Sequence, residues 1–218
     1  MTKPLLIIGN KNYSSWSLRA YMALAGFQIP FDETLIRLGE PAFDRAARRH
    51  SKAGLVPILK HQSLMIWDTL AIMEYLYETW PKKQMWPKNK ATRAVARCVS
   101  AEMHSGFGGL RNACPMNLRR PQKPVPMNEA ALKDVARLEA IFAECRKKHG
   151  KGGPFLFGRF SLADAMFAPV LTRLETYTIP VKPTTRAYIQ AVLNTQAFKA
   201  WKTAALIETW IVPHDEVD

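Results

Sequence analysis

Residues 55–76 read Leu55-Val56-Pro57-Ile58-Leu59-Lys60-His61-Gln62-Ser63-Leu64-Met65-Ile66-Trp67-Asp68-Thr69-Leu70-Ala71-Ile72-Met73-Glu74-Tyr75-Leu76. The first five form an apolar strand with a proline inside. Proline donates nothing to a ladder, so Pro57 belongs at a strand start, an edge or a bend. A cis bond before it is a deliberate feature where it occurs. Such a bend would leave the Val56 N–H and C=O to pair with an extended peptide, as an added strand. His61–Ser63 is a tight connection and Leu64–Ile66 the next strand. From Asp68 to Thr79 the pattern turns helical: Ala71, Ile72, Tyr75 and Leu76 share a face, with Asp68 or Trp67 near the cap.

Upstream, Leu5–Gly9 is a continuous apolar run, as a buried parallel strand requires. It meets Asn10-Lys11-Asn12 with no small-residue cleavage site, so it reads as a first strand and not as a signal peptide. Asn10–Ser14 is turn-like. Ser15–Gly26 is a helix, with Leu18, Met22 and Ala25 on one face and Gly26 to end it. Phe31–Leu38 is a second strand and Glu40–Arg49 a short basic helix. The order β-α-β-α-β-β-α over about 80 residues joins a parallel βαβ unit to a hairpin.

Downstream of Trp80-Pro81-Lys82-Lys83 the strand patterns stop. Ala91–Arg111 is helical, interrupted by Gly106, Gly108 and Gly109. Pro115–Pro126 holds four prolines and is loop or broken helix. Asn128–His149 is a long amphipathic helix. Ser161-Leu162-Ala163-Asp164 is a capping box opening an apolar helix to about Glu175. Pro183–Leu193 and Gln196–Ile207 complete the set. Two units follow: residues 1–82, α/β and thioredoxin-like, and residues 89–218, all-helical.

Composition narrows the function. No apolar run nears the ~20 residues of a membrane span. Three scattered cysteines, Cys98, Cys114 and Cys145, form no CxxC pair and no zinc spacing, as expected in a reducing cytoplasm. No metal is expected. The net charge is +13. Residues 1–82 carry 10 Lys/Arg against 7 Asp/Glu, a surplus of three, which leaves +10 on the remainder. Its bases are scattered among acids, with no run of five like charges and no basic stripe interleaved with aromatics. That argues against nucleic acid and for a solvated basic surface that attracts small anions.

These motifs together resemble the glutathione S-transferase superfamily, over the whole chain. Ser14-Ser15-Trp16-Ser17-Leu18-Arg19 is similar to the serine-type first-helix motif, closest to the zeta class and its bacterial members. The Val56-Pro57 bend followed by Asp68-Thr69-Leu70-Ala71-Ile72-Met73-Glu74-Tyr75-Leu76 resembles the family signature. Phe157-Gly158-Arg159-Phe160-Ser161-Leu162-Ala163-Asp164 resembles its carboxy-terminal folding motif. Each motif alone is weak; in this order and spacing they are specific.

The resemblance implies an enzyme that binds glutathione as co-substrate and adds it to an electrophile, or isomerises through a glutathione adduct as maleylacetoacetate isomerases do. The thiol, with a pKa of ~8.5 or a little above, is mostly protonated at neutral pH. A hydroxyl at the positive end of a helix stabilises the thiolate. The resemblance assigns that hydroxyl to Ser14, with Ser15 beside it; capping alone needs one of them. It sets Val56 and Pro57 against the cysteinyl backbone, Thr69 against the γ-glutamyl carboxylate at a helix N-terminus, and Asp68 against the γ-glutamyl ammonium. His104, Phe107 and Arg111, at i, i+3 and i+7, share a face that suits a hydrophobic, acidic electrophile in a second-substrate pocket. A packing role for Phe107 and an interface role for His104 and Arg111 are the alternative. The family implies a homodimer, a cytoplasmic location and a role in detoxification.

The chain departs from the family in places. Leu55 stands where a Gln or Lys commonly reaches glutathione; Lys52 or His50 is the available substitute. Trp16 replaces a zeta cysteine. Thr176 replaces a zeta arginine, with Arg173 one turn earlier. The absence of a first-helix cysteine argues against the superfamily's reductase chemistry. A non-catalytic member binding a protein or nucleic-acid partner is the competing reading, though such proteins tend to lose the serine and the acidic-Thr pair, both present here.

Overall fold

A computed structural model describes residues 2–217. Its first half runs β1 (Leu5–Ile8), α1 (Ser15–Ala25), β2 (Asp32–Leu35), α2 (Phe43–Arg48), β3 (Ile58–His61), β4 (Leu64–Ile66) and α3 (Thr69–Thr79). The sheet order is β2-β1-β3-β4. β1 pairs parallel with β2 and antiparallel with β3, and β3 pairs antiparallel with β4. Apolar β1 lies inside the sheet with Leu6, Ile7 and Ile8 fully buried. β2, whose Asp32, Glu33 and Thr34 are exposed, is an edge, and charge on an edge strand discourages pairing with other chains.

The second half is helical: α4 (Lys90–Ser105), α5 (Gly108–Ala113), α6 (Glu129–His149), α7 (Leu162–Thr176), α8 (Pro183–Leu193) and α9 (Gln196–Leu206). α7 is apolar on nearly every side and almost wholly buried. It packs against α1, so one helix of the first half and one of the second share a single core. Its N-terminus is the expected capping box. Asp164 accepts from Leu156 N–H (3.1 Å), Ser161 N–H (2.8 Å), Ser161 Oγ (2.8 Å) and Tyr188 OH (3.0 Å).

Two expectations need correction. Val56 and Pro57 precede the β3 ladder, which begins at Ile58, and the Val56–Pro57 peptide is cis. The pattern over 91–111 is two helices at an angle. Gly106 ends α4, Phe107 takes the left-handed conformation (φ 62°), and α5 starts at Gly108. Gly109 lies against α6, where an added Cβ would sit 2.6 Å from a backbone carbon of Ala130. The break removes the common face expected for His104, Phe107 and Arg111, because i, i+3, i+7 neighbours require one continuous helix.

Candidate functional site

Two adjoining cavities lie at the cis bend, the larger between the two halves and the smaller within the first. One, of about 490 Å³, is lined by Ser14, Ser15, Trp16, Leu55, Val56, Arg111, Arg173, Asp215 and their neighbours. The other, of about 310 Å³, is lined by Trp16, Leu55, Val56, Pro57, Trp67, Asp68 and Thr69. Trp16, Leu55 and Val56 border both.

Ser14 caps α1: its Oγ accepts from Ser17 N–H (3.3 Å) and lies 2.7 Å from Ser17 Oγ. Ser17 Oγ in turn accepts from Gly9 N–H (3.0 Å). Ser15 occupies the first helical position beside it. Both serines are buried yet border the larger cavity, where the α1 N-terminus presents the positive end of its dipole.

At the other helix start, Asp68 caps α3 by accepting from Leu70 N–H (2.8 Å). Its second oxygen takes a hydrogen bond from His104 Nε2 at 2.6 Å. Thr69 is fully buried and its Oγ1 has no hydrogen-bond partner among the described residues. A buried hydroxyl without a partner costs about 1–3 kcal/mol, which a ligand carboxylate would offset.

Arg111 and Arg173 bring positive charge to the larger cavity. Arg173 is buried, with Nε bonded to Cys114 O (2.8 Å) and Nη1 to Pro169 O (3.2 Å). Burial first, and then the neighbouring Arg111, draw Arg173 down to about 10. Burial also lowers Arg111. Arg19 lies close by under Trp16, drawn down to about 9 by burial and then by Arg111 and Arg173. All three stay cationic at neutral pH. Asp215 lines the same cavity, and its carboxyl is raised by burial.

Of the expected site residues, Ser14, Ser15, Val56, Pro57, Asp68 and Thr69 come together around the two cavities. Arg111 joins them. Phe107 does not: at 6% exposure it packs in the core. His104 lines neither cavity and faces Asp68. His50 and Lys52 line neither cavity, and Leu55 contributes an exposed apolar wall. Arg173 reaches the site from one turn before Thr176.

Sequence reasoning missed the segment after α9. Glu208 accepts from Lys11 N–H (2.7 Å) and Asn12 N–H (3.0 Å), clamping the loop before Ser14. Tyr13, which also lines the larger cavity, has its OH engaged, donating to Glu216 and accepting from Arg119 Nη2 (2.9 Å). Burial, then the Glu216 bond, raise the Tyr13 pKa. His214 and Asp215 of this segment wall the cavity.

A thioredoxin-like sheet carrying a cis-proline bend and two helix N-termini, fused to a helical bundle, defines a class that known proteins share. The glutathione S-transferase N-terminal domain model matches residues 13–79 and the glutathione S-transferase C-terminal domain model residues 119–201. The chain belongs to the glutathione S-transferase family. It is 28% identical over 203 residues to maleylacetoacetate isomerase of Rattus norvegicus, covering 90% of this chain and 91% of that one. It is 26% identical over 170 residues to glutathione S-transferase Z1 of Arabidopsis thaliana, covering 73% and 74%. A glutathione transferase homolog from Burkholderia gl BGR1, solved with bound glutathione, superposes with a TM-score of 0.72 at 22% identity, covering 94% of this chain and 98% of that one.

Proposed function

We propose that the protein is a glutathione transferase that stabilises the glutathione thiolate at the start of α1 and adds it to an electrophile, or isomerises an electrophile through a glutathione adduct. One observation carries the reading. Ser14 and Ser15, Val56 beside the cis proline, and the Asp68–Thr69 helix start border two cavities that share walls. In this reading residues 1–82 hold glutathione and residues 89–218 supply most of the electrophile wall.

Extended glutathione pairs its cysteinyl backbone with Val56. Its γ-glutamyl carboxylate meets Thr69 N–H and Oγ1, and its ammonium meets Asp68. The thiol then lies at Ser14. Hydroxyl protons rotate, and either serine of the Ser14–Ser17 pair can donate to the other. With Gly9 N–H donating to Ser17 and Ser17 to Ser14, the Ser14 proton is free for the sulfur, and each bond polarises the next. The thiolate pair attacks the electrophilic carbon, and the displaced pair leaves with a halide or moves onto a conjugated carbonyl. Proximity and thiolate stabilisation are the catalytic contributions. Arg111 and Arg173 favour an electrophile that carries negative charge.

The reading extends to a cytoplasmic homodimer acting on reactive small molecules. Exposed Leu64 and Trp67, each 49% accessible, support an apolar subunit contact, checked by light scattering on the eluted protein.

The test of function is calorimetric titration of glutathione into wild type and Ser14→Ala, with thiolate absorbance followed against pH. Wild-type binding and a thiolate near neutral pH, shifted up by one pH unit or more in Ser14→Ala, support the reading. Absence of glutathione binding by the wild type removes it, and turns attention to protein and nucleic-acid partners of the basic helical half.

A further inference from the structure

Trp16, which stands where the resemblance leads one to expect cysteine, is the hub of the site. The Arg19 guanidinium carbon lies 4.3 Å from its ring centre and that of Arg111 5.0 Å. The His104 ring meets it edge-on at 5.0 Å between centroids, with planes at 81°. With Leu55 and Val56, the indole also forms the wall common to the two cavities.

Arg111 is half-buried, and its guanidinium makes no hydrogen bond or ion pair within the described residues. Arg173, the other cation of that cavity, has two carbonyl partners. A half-buried fork of five donors with no acceptor, held against an aromatic face, is arranged to receive a planar anion.

We propose that Trp16 is the specificity-determining residue of the electrophile cavity: its ring holds the Arg111 guanidinium ready for one carboxylate on the electrophile. This rests on the glutathione reading. The positioning agent is the π face, which attracts the guanidinium electrostatically and fixes the direction of its fork. A guanidinium ordered before binding loses less freedom when the ligand arrives. Trp16 thereby ties the acceptor's charge to the first turn of α1, where the thiolate lies.

The test compares three ligands by calorimetry: glutathione, S-methylglutathione and S-(carboxymethyl)glutathione. The two thioethers need no chemical step and differ by one carboxylate. The wild type binds the carboxymethyl compound about tenfold more tightly than the methyl compound, as a charge-assisted hydrogen-bond pair allows. Arg111→Gln abolishes that ratio. Trp16→Leu, which fills space without a π face, lowers it to about twofold or less, and Trp16→Phe retains most of it. Reading a ratio within each variant cancels any general weakening of glutathione contacts by the Trp16 changes. Wild-type binding of glutathione with no preference between the thioethers overturns the inference and leaves the transferase reading intact. A full preference in Trp16→Leu overturns the role of Trp16. Failure of the wild type to bind glutathione overturns the underlying reading instead.

Discussion

His104 Nε2 lies 2.6 Å from Asp68 Oδ2, a hydrogen bond that joins the last turn of α4 to the cap of α3. A carboxylate only accepts, so His104 is the donor in this bond whatever its overall charge. In the proposed reading, His104 acts on the glutathione side of the site through Asp68.

A difference between two variants follows. Asp68→Asn removes the charge proposed to face the γ-glutamyl ammonium and is expected to weaken glutathione binding by about tenfold or more. His104→Ala leaves the charge and the Leu70 N–H bond, and removes one orienting donor; the loss is smaller, about threefold. Calorimetric Kd values for both variants check the order, and the reverse order would contradict the assignment of His104.

Thr69 gives a second test. Its Oγ1 is buried and without a partner. Thr69→Val removes the hydroxyl without changing shape, so the free protein gains stability, by about 1 kcal/mol, because an unsatisfied polar group is gone. Glutathione binding weakens in the same variant. Urea denaturation and ligand titration read the two opposite effects.

The clamp on the loop before Ser14 predicts a coupling between distant residues. Glu208→Ala leaves the Lys11 and Asn12 N–H groups without their acceptor and costs about 1–3 kcal/mol. Since that loop positions Ser14, turnover falls as well. Kinetics at saturating glutathione separate the loss of placement from the loss of stability.

Asp164 carries a pH dependence. Burial raises its pKa to about 6, against four donors that pull it down. A raised acid binds its proton more tightly in the folded state, so folding stability from this group is full below about pH 4 and falls as pH rises to about 6, by about 3 kcal/mol at most. Asp164→Asn is less stable throughout, because the amide cannot accept all four bonds, and it lacks this component of the slope. Denaturation midpoints at pH 4, 5 and 6 for both proteins measure the difference.

Much of the fold was legible because its determinants are local. The β1 run, the Pro57 bend, the Asp68 cap and the Ser161–Asp164 box each act within a few residues, and each occurs where its pattern predicts. The α4–α5 break was legible only as a cluster of glycines. Whether Gly106-Phe107-Gly108 bends or merely weakens a helix depends on how closely Gly109 must approach α6.

The sequence by itself determined the order of elements, the placement of hydroxyls at one helix start and an acidic-Thr pair at another, and the family. Periodicity, capping and turn chemistry are short-range and survive in one dimension. Tertiary structure alone decided that His104 faces Asp68, that Phe107 belongs to the core, that the Arg111 guanidinium lies over the Trp16 ring, and that Glu216 reaches Tyr13 across 203 residues of separation. Those neighbours depend on the angles at which helices pack and on one left-handed residue between α4 and α5, and no local pattern encodes a packing angle.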